Sequence, residues 1–66
     1  MTVMINGEPH QTRGGMSLAQ AVAILTSAAT GVAAALNGTV VGRAAWASTQ
    51  LADGDEVEVL TAVQGG

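Results

Sequence analysis

The chain has 66 residues and a mass of 6.5 kDa, enough for one small core and too little for a deep enzymatic pocket. It has no cysteine and no lysine, a formal charge of -3, and only two basic side chains, Arg13 and Arg43. This composition excludes disulfides, thiol catalysis, thiolate metal sites and lysine-linked chains of the protein with itself, and it argues against a basic surface for nucleic acid or an anionic membrane.

In chain order, the apolar run Thr2–Ile5 predicts a strand, and Asn6-Gly7 a tight hairpin turn. A second strand is expected from Glu8 to about Arg13. Pro9 cannot donate to a ladder and so places it at an edge, and Gly14-Gly15 ends it. Ser17-Leu18-Ala19-Gln20 matches a capping box, which predicts a helix from Leu18. Leu18, Ala21, Val22, Leu25 and Ala29 share one helical face that should cover a sheet, and Gly31 is the expected stop. Val32–Leu36 reads as a third strand, Asn37-Gly38 as a second hairpin turn, and Thr39–Val41 as its return.

The segment from Gly42 to Leu51 shows no alternation and reads as an irregular crossover anchored by Trp46, the only aromatic residue. Asp53-Gly54-Asp55 marks a turn. Glu56-Val57-Glu58-Val59 then alternates as a half-buried strand does, and the β-rich pattern continues to Val63. Hairpin, helix, two short strands and a final strand fit an α+β architecture. It is a mixed sheet of four to five strands with the helix on one face and the first and last strands parallel at its centre, the ubiquitin-like β-grasp. No repeat or linker interrupts it, so residues 1–66 read as a single domain with a flexible tail over residues 64–66. No stretch is long enough for a membrane span and no secretory signal pattern opens the chain, so the expected location is the cytoplasm.

The sequence ends in Gly65-Gly66. A terminal carboxylate is ionised at neutral pH and needs no side-chain base to attack the α-phosphate of ATP and become an acyl-adenylate. Two residues without Cβ let a narrow active site of another protein close around the chain. A frayed end would look the same in sequence. The strand pattern running almost to the glycines favours a reactive tail projecting from a folded body.

Ile5-Asn6-Gly7-Glu8, the segment Leu36-Asn37-Gly38 with Val40-Val41, Arg43 and Trp46, the Asp53-Gly54-Asp55 turn, and terminal Gly65-Gly66 together resemble the ThiS family, the sulfur carrier proteins of thiamine biosynthesis. The resemblance spans nearly the whole chain and rests on order, spacing and length jointly. Gly42 departs from it, since family members often carry proline before the arginine, which leaves the rigidity of that loop open.

The resemblance implies a mechanism. A ubiquitin-activating-enzyme-like adenylyltransferase uses ATP and Mg²⁺ to adenylate the terminal glycine. A sulfur relay, commonly fed by a cysteine desulfurase, then replaces AMP and leaves a thiocarboxylate, and thiazole synthase takes the sulfur. Gly66 is then the acyl site and Gly65 its unhindered approach. The chain itself is a protein co-substrate, not an enzyme, with no bound cofactor and no metal.

A docking surface is expected on the sheet face away from the helix, where alternation places Glu56, Glu58, Leu60 and Ala62, with Met4 beside Leu60 and Ala62 in an apolar patch. Asp53 and Asp55 read as turn residues, Trp46 as a core plug, Ser17 as a helix cap, Met1, Met4 and Met16 as packing, and His10 as exposed. Arg43 either positions the crossover or meets a partner. Three other readings stay open: the small subunit of molybdopterin synthase, a ubiquitin-like modifier, and an interaction module in which Gly-Gly is incidental.

Overall fold

Both Asn-Gly pairs fold as their composition dictates, with every residue at positive φ: Asn6 at 50° and Gly7 at 81°, Asn37 at 50° and Gly38 at 85°. This is the backbone of a two-residue hairpin turn whose twist matches that of the flanking strands. In the computed structural model, which describes residues 1–27 and 30–61, they join β1 (Thr2–Ile5) to β2 (Glu8–Gln11) and β3 (Val32–Leu36) to β4 (Thr39–Val41). Helix α1 (Leu18–Leu25) lies between the hairpins, and β5 (Glu56–Thr61) follows a 3-10 helix over Arg43–Ser48. The sheet order is β2-β1-β5-β3-β4. β5 runs parallel to β1, with Met4 opposite Glu56 and Ile5 opposite Val57, and antiparallel to β3 from Val32 opposite Thr61 to Leu36 opposite Val57. The expected parallel pairing of first and last strands is therefore present, and Pro9 sits on an edge strand as its missing N–H requires.

The capping box closes α1 at its start. Ser17 Oγ accepts from Gln20 N–H at 3.2 Å, and Gln20 Oε1 accepts from Ser17 N–H at 2.8 Å. Leu18 N–H donates to the Thr49 carbonyl at 2.8 Å and Leu51 N–H to that of Met16 at 2.9 Å, which moors the helix start to the crossover. Leu18, Ala21 and Val22 press onto Val3, Ile5, Ala34, Val57 and Val59, with Trp46 and Leu51 completing the core and Met1 and Met16 packed against it. Trp46, 5% exposed, fills the crossover side and donates its indole N–H to the Val41 carbonyl at 2.8 Å.

Five expectations are corrected. The helix ends at Leu25, not at Gly31: Thr26 is extended (φ −153°) while its N–H still caps the Val22 carbonyl at 3.1 Å. Thr and Ser compete locally with helical bonds, so Thr26-Ser27 is a poor continuation. Leu25, in this last turn, is 43% exposed and lies outside the core, and Ala29 lies outside the described residues. β2 stops at Gln11; Thr12 still exchanges two backbone bonds with Met1, each 2.8 Å, and its Oγ1 accepts from Gly14 N–H at 3.1 Å, turning the chain at Arg13. The crossover is a regular 3-10 helix whose short i to i+3 geometry leaves no alternation to read. His10, opposite Val3, is half-buried.

Gly42 takes φ −65° and ψ 147° as the residue before the 3-10 helix, and a Cβ there would meet nothing within 4 Å. This is the φ that proline fixes, and the β3–β4 register turns the Gly42 N–H away from β3. Gly42→Pro is therefore expected to stabilise the fold by about 0.4–1 kcal/mol through loss of unfolded-state freedom. Urea denaturation followed by circular dichroism checks this; a loss of stability would mean that the Gly42 N–H is engaged.

Candidate functional site

β5 has one buried and one open side. Val57 and Val59 point to the helix at 1% and 5% exposure, while Glu56, Glu58 and Leu60 point the other way. The pairing brings Met4 and Pro9 to the open face at one end, and Ala33, Ala35 and Val40 at the other. Leu60 is 71% and Val40 76% exposed. Around them lies a shallow hollow of about 220 Å³ lined by Ala33, Ala35, Gly38, Val40, Glu58 and Leu60.

The expected patch thus changes its membership. Because β1 and β5 run parallel, Met4 pairs with Glu56, and Leu60 lies four residues further on, about 13 Å away at strand rise. Met4 shares the face but not the neighbourhood of Leu60; a separate hollow beside it is lined by Asn6, Gly7, Glu56 and Glu58. Val40 stands in its place. β4 is too short for alternation to reveal this, but a two-residue turn at Asn37-Gly38 pairs Leu36 with Thr39 and hence Ala35 with Val40, and from that register the position could have been found. Ala62, Gly65 and Gly66 lie outside the described residues, as does the expected mobility of residues 64–66.

The charges of this face are of one sign. Among its described residues are the carboxylates of Glu56 and Glu58 and no cation, since Arg13 sits in the loop after β2 and Arg43 in the 3-10 helix beside α1. The Arg43 guanidinium lies over the Trp46 ring, 5.0 Å from its centroid, a cation–π contact that ties it to the crossover. Asp53 and Asp55 are turn groups: Asp53 Oδ1 accepts from Thr2 N–H at 2.7 Å and Asp55 Oδ2 from Ala52 N–H at 2.7 Å. Among the described residues no cluster of three His, Asp or Glu could hold a metal ion, and no helix is long and apolar enough to cross a membrane.

Two asparagines act beyond their turns, a role that composition gives no means of seeing. Asn6 Oδ1 accepts from Val59 N–H at 2.8 Å and its Nδ2 donates to the Val59 carbonyl at 3.1 Å. Asn37 Oδ1 accepts from Glu56 N–H at 2.9 Å, and its Nδ2 donates to Asp55 Oδ1 at 3.0 Å. β5 is thus held by side-chain amides from the two hairpin turns, at its first residue, Glu56, and at Val59 within the strand.

A five-stranded mixed sheet with one helix across it, and a central last strand leading towards Gly65-Gly66, defines a small ubiquitin-like β-grasp protein. The crystal structure of the thiamine biosynthesis protein ThiS from Geobacter metallireducens superposes on it with a TM-score of 0.78 at 33% identity, over 100% of both chains. The solution structure of a thiamine biosynthesis protein from the same organism does so with a TM-score of 0.77 at 33% identity, over 100% of this chain and 88% of that one. No curated protein sequence matches significantly. Residues 3–66 match the ThiS family, and the chain belongs to it: it is a ThiS-type sulfur carrier.

The open face is expected to tolerate charge and the covered face to reject it. Leu60→Asp and Val40→Asp should each change unfolding free energy by no more than about 1 kcal/mol, the span of strand preferences at exposed sites. Val57→Asp should leave no cooperative transition in urea, because it places a carboxylate in the core. Equal destabilisation by all three would mean that the Leu60 face is covered in solution.

Proposed function

We propose that the chain carries sulfur for thiazole formation in thiamine biosynthesis, on the carboxyl carbon of Gly66. The carboxylate oxygen attacks the α-phosphorus of ATP, held with Mg²⁺ by a ubiquitin-activating-enzyme-like adenylyltransferase, and pyrophosphate leaves. Sulfur from a relay fed by a cysteine desulfurase, delivered at the oxidation level of sulfide with the help of a thiol reductant, then displaces AMP. The resulting thiocarboxylate is the sulfur donor to thiazole synthase. The chain supplies no acid, base or nucleophilic side chain to these steps. Its part is to present a bare acyl group on the segment that follows β5 in sequence, as a co-substrate consumed and regenerated.

The observation that carries this reading is the family match running through Gly66 on a fold whose central strand leads to that residue. Gly65 lets the tail enter a narrow site. Leu60 with Val40, Ala33 and Ala35 forms the apolar centre of the docking face. Glu56 and Glu58 extend it, and Met4 lies at its far end. A partner that fits offers apolar side chains flanked by lysine or arginine.

With the cognate adenylating enzyme and ATP, pyrophosphate release should depend on the chain and vanish when Gly66 is deleted. Leu60→Asp should lower kcat/KM by about tenfold or more, as expected for a charge placed at the centre of an apolar contact. A strain without the protein should require thiamine and still make molybdenum cofactor. Undiminished turnover of the chain lacking Gly66 would refute the carrier site, and unchanged kcat/KM for Leu60→Asp would remove the docking face.

A further inference from the structure

A two-residue hairpin turn needs positive φ at both positions, which Asn-Gly, Asp-Gly and Gly-Gly all provide. Asn6 is therefore over-specified if closing the turn is its only task. β1 pairs with β5 only as far as Ile5 opposite Val57, with Asn6 N–H donating to the Val57 carbonyl at 2.9 Å. After Asn6 the backbone turns away towards β2. On that side of β5 the next backbone groups belong to Val59, and both meet the Asn6 amide, its oxygen taking the N–H at 2.8 Å and its nitrogen giving to the carbonyl at 3.1 Å. The side chain continues the parallel ladder by one step after the main chain has left it.

Among side chains of this length, only an amide offers an acceptor and a donor together. Aspartate keeps one of the two, and glycine keeps the turn and neither. Val59 adjoins Leu60 of the open face and is the last described position of β5 held from both flanks, since β3 continues alone to Thr61. Loss of this hold would leave β5 from Val59 onward, Leu60 included, paired on the β3 side alone.

We propose that Asn6 is a positioning residue for the carrier reaction: its amide fixes β5 at Val59, next to Leu60, so that the docking face is presented to the activating enzyme already ordered. The inference rests on the carrier function proposed above. An enzyme that must hold the face and the terminus at once gains from this preorganisation, because an unfixed strand has to be ordered during binding. Asn37 is the internal control. It sits in the same kind of turn with the same φ, and its amide also holds β5, but at Glu56, the end remote from the tail.

The test compares Asn6→Gly with Asn37→Gly in full-length protein. Both variants keep the turn and lose the clamp. Asn6→Gly is expected to raise the KM of the chain in adenylation by about tenfold, the equivalent of one or two lost hydrogen bonds of ordering. Its kcat at saturation should stay unchanged, and hydrogen exchange at the Val59 amide should quicken. Asn37→Gly should lower Tm at least as much and keep the wild-type KM. Equal KM for the two variants, or KM tracking Tm, would overturn the assignment while leaving the carrier function intact. A wild-type chain that is not adenylated at all by an enzyme active on its own carrier would overturn both.

Discussion

The parallel pairing of β1 with β5 is the constraint on which the rest of the molecule depends. It joins the first and last strands at the centre of the sheet through a register of only two residue pairs, Met4 with Glu56 and Ile5 with Val57. So short a parallel contact needs help, since parallel ladders are slightly weaker per residue than antiparallel ones. Help comes from Val3, Ile5, Val57 and Val59, all buried beneath α1, and from the amides of Asn6 and Asn37, which hold β5 at Val59 and Glu56, on either side of Val57. The Asp53–Asp55 turn secures the approach, with Gly54 N–H bonded to the Thr2 carbonyl at 2.8 Å.

In the function proposed above, this placement acts through geometry, with no reactive side chain involved. β5 is central where β1 flanks it at Glu56 and Val57, the Asn6 amide extends that hold to Val59, and β3 alone accompanies it to Thr61. With α1 on one face, the other is open: Leu60 and Val40 project there between small alanines, and the charges among its described residues are carboxylates alone. A ThiS-type carrier needs these properties: a body that partners recognise, and an acyl terminus free of side chains. The missing cysteine is consistent with sulfur travelling on the terminus.

Much of the fold was legible in the sequence, because its strongest signals are local. Asn-Gly twice, a Ser-x-x-Gln box and the alternation Glu56 to Val59 each act within a few residues, and together they located all five strands and the helix start. What was illegible depended on register or on distant partners. Leu25 carries the periodicity of a buried position but falls in the last turn of a helix that Thr26 ends, so period alone misplaced it. Met4 and Leu60 alternate onto the same face, yet which residues become neighbours is set by where a parallel pair begins, which no local pattern records. The Asn6 bond to Val59 links positions remote in the chain, and an asparagine in a turn looks the same in sequence whether its amide faces water or a strand.

The central claim is that Gly66 ends as a thiocarboxylate, and mass spectrometry of the intact chain after reaction tests it most directly. The protein is incubated with ATP, the cognate adenylating enzyme and a sulfur source, then treated with a thiol-selective alkylating agent. Alkylation matters because oxidation of any of the three methionines adds nearly the same mass as exchanging oxygen for sulfur. The account predicts a single ATP-dependent alkyl adduct that fragmentation maps to Gly66. An adenylate that never acquires sulfur, or a chain left unchanged by a demonstrably active enzyme, would contradict it.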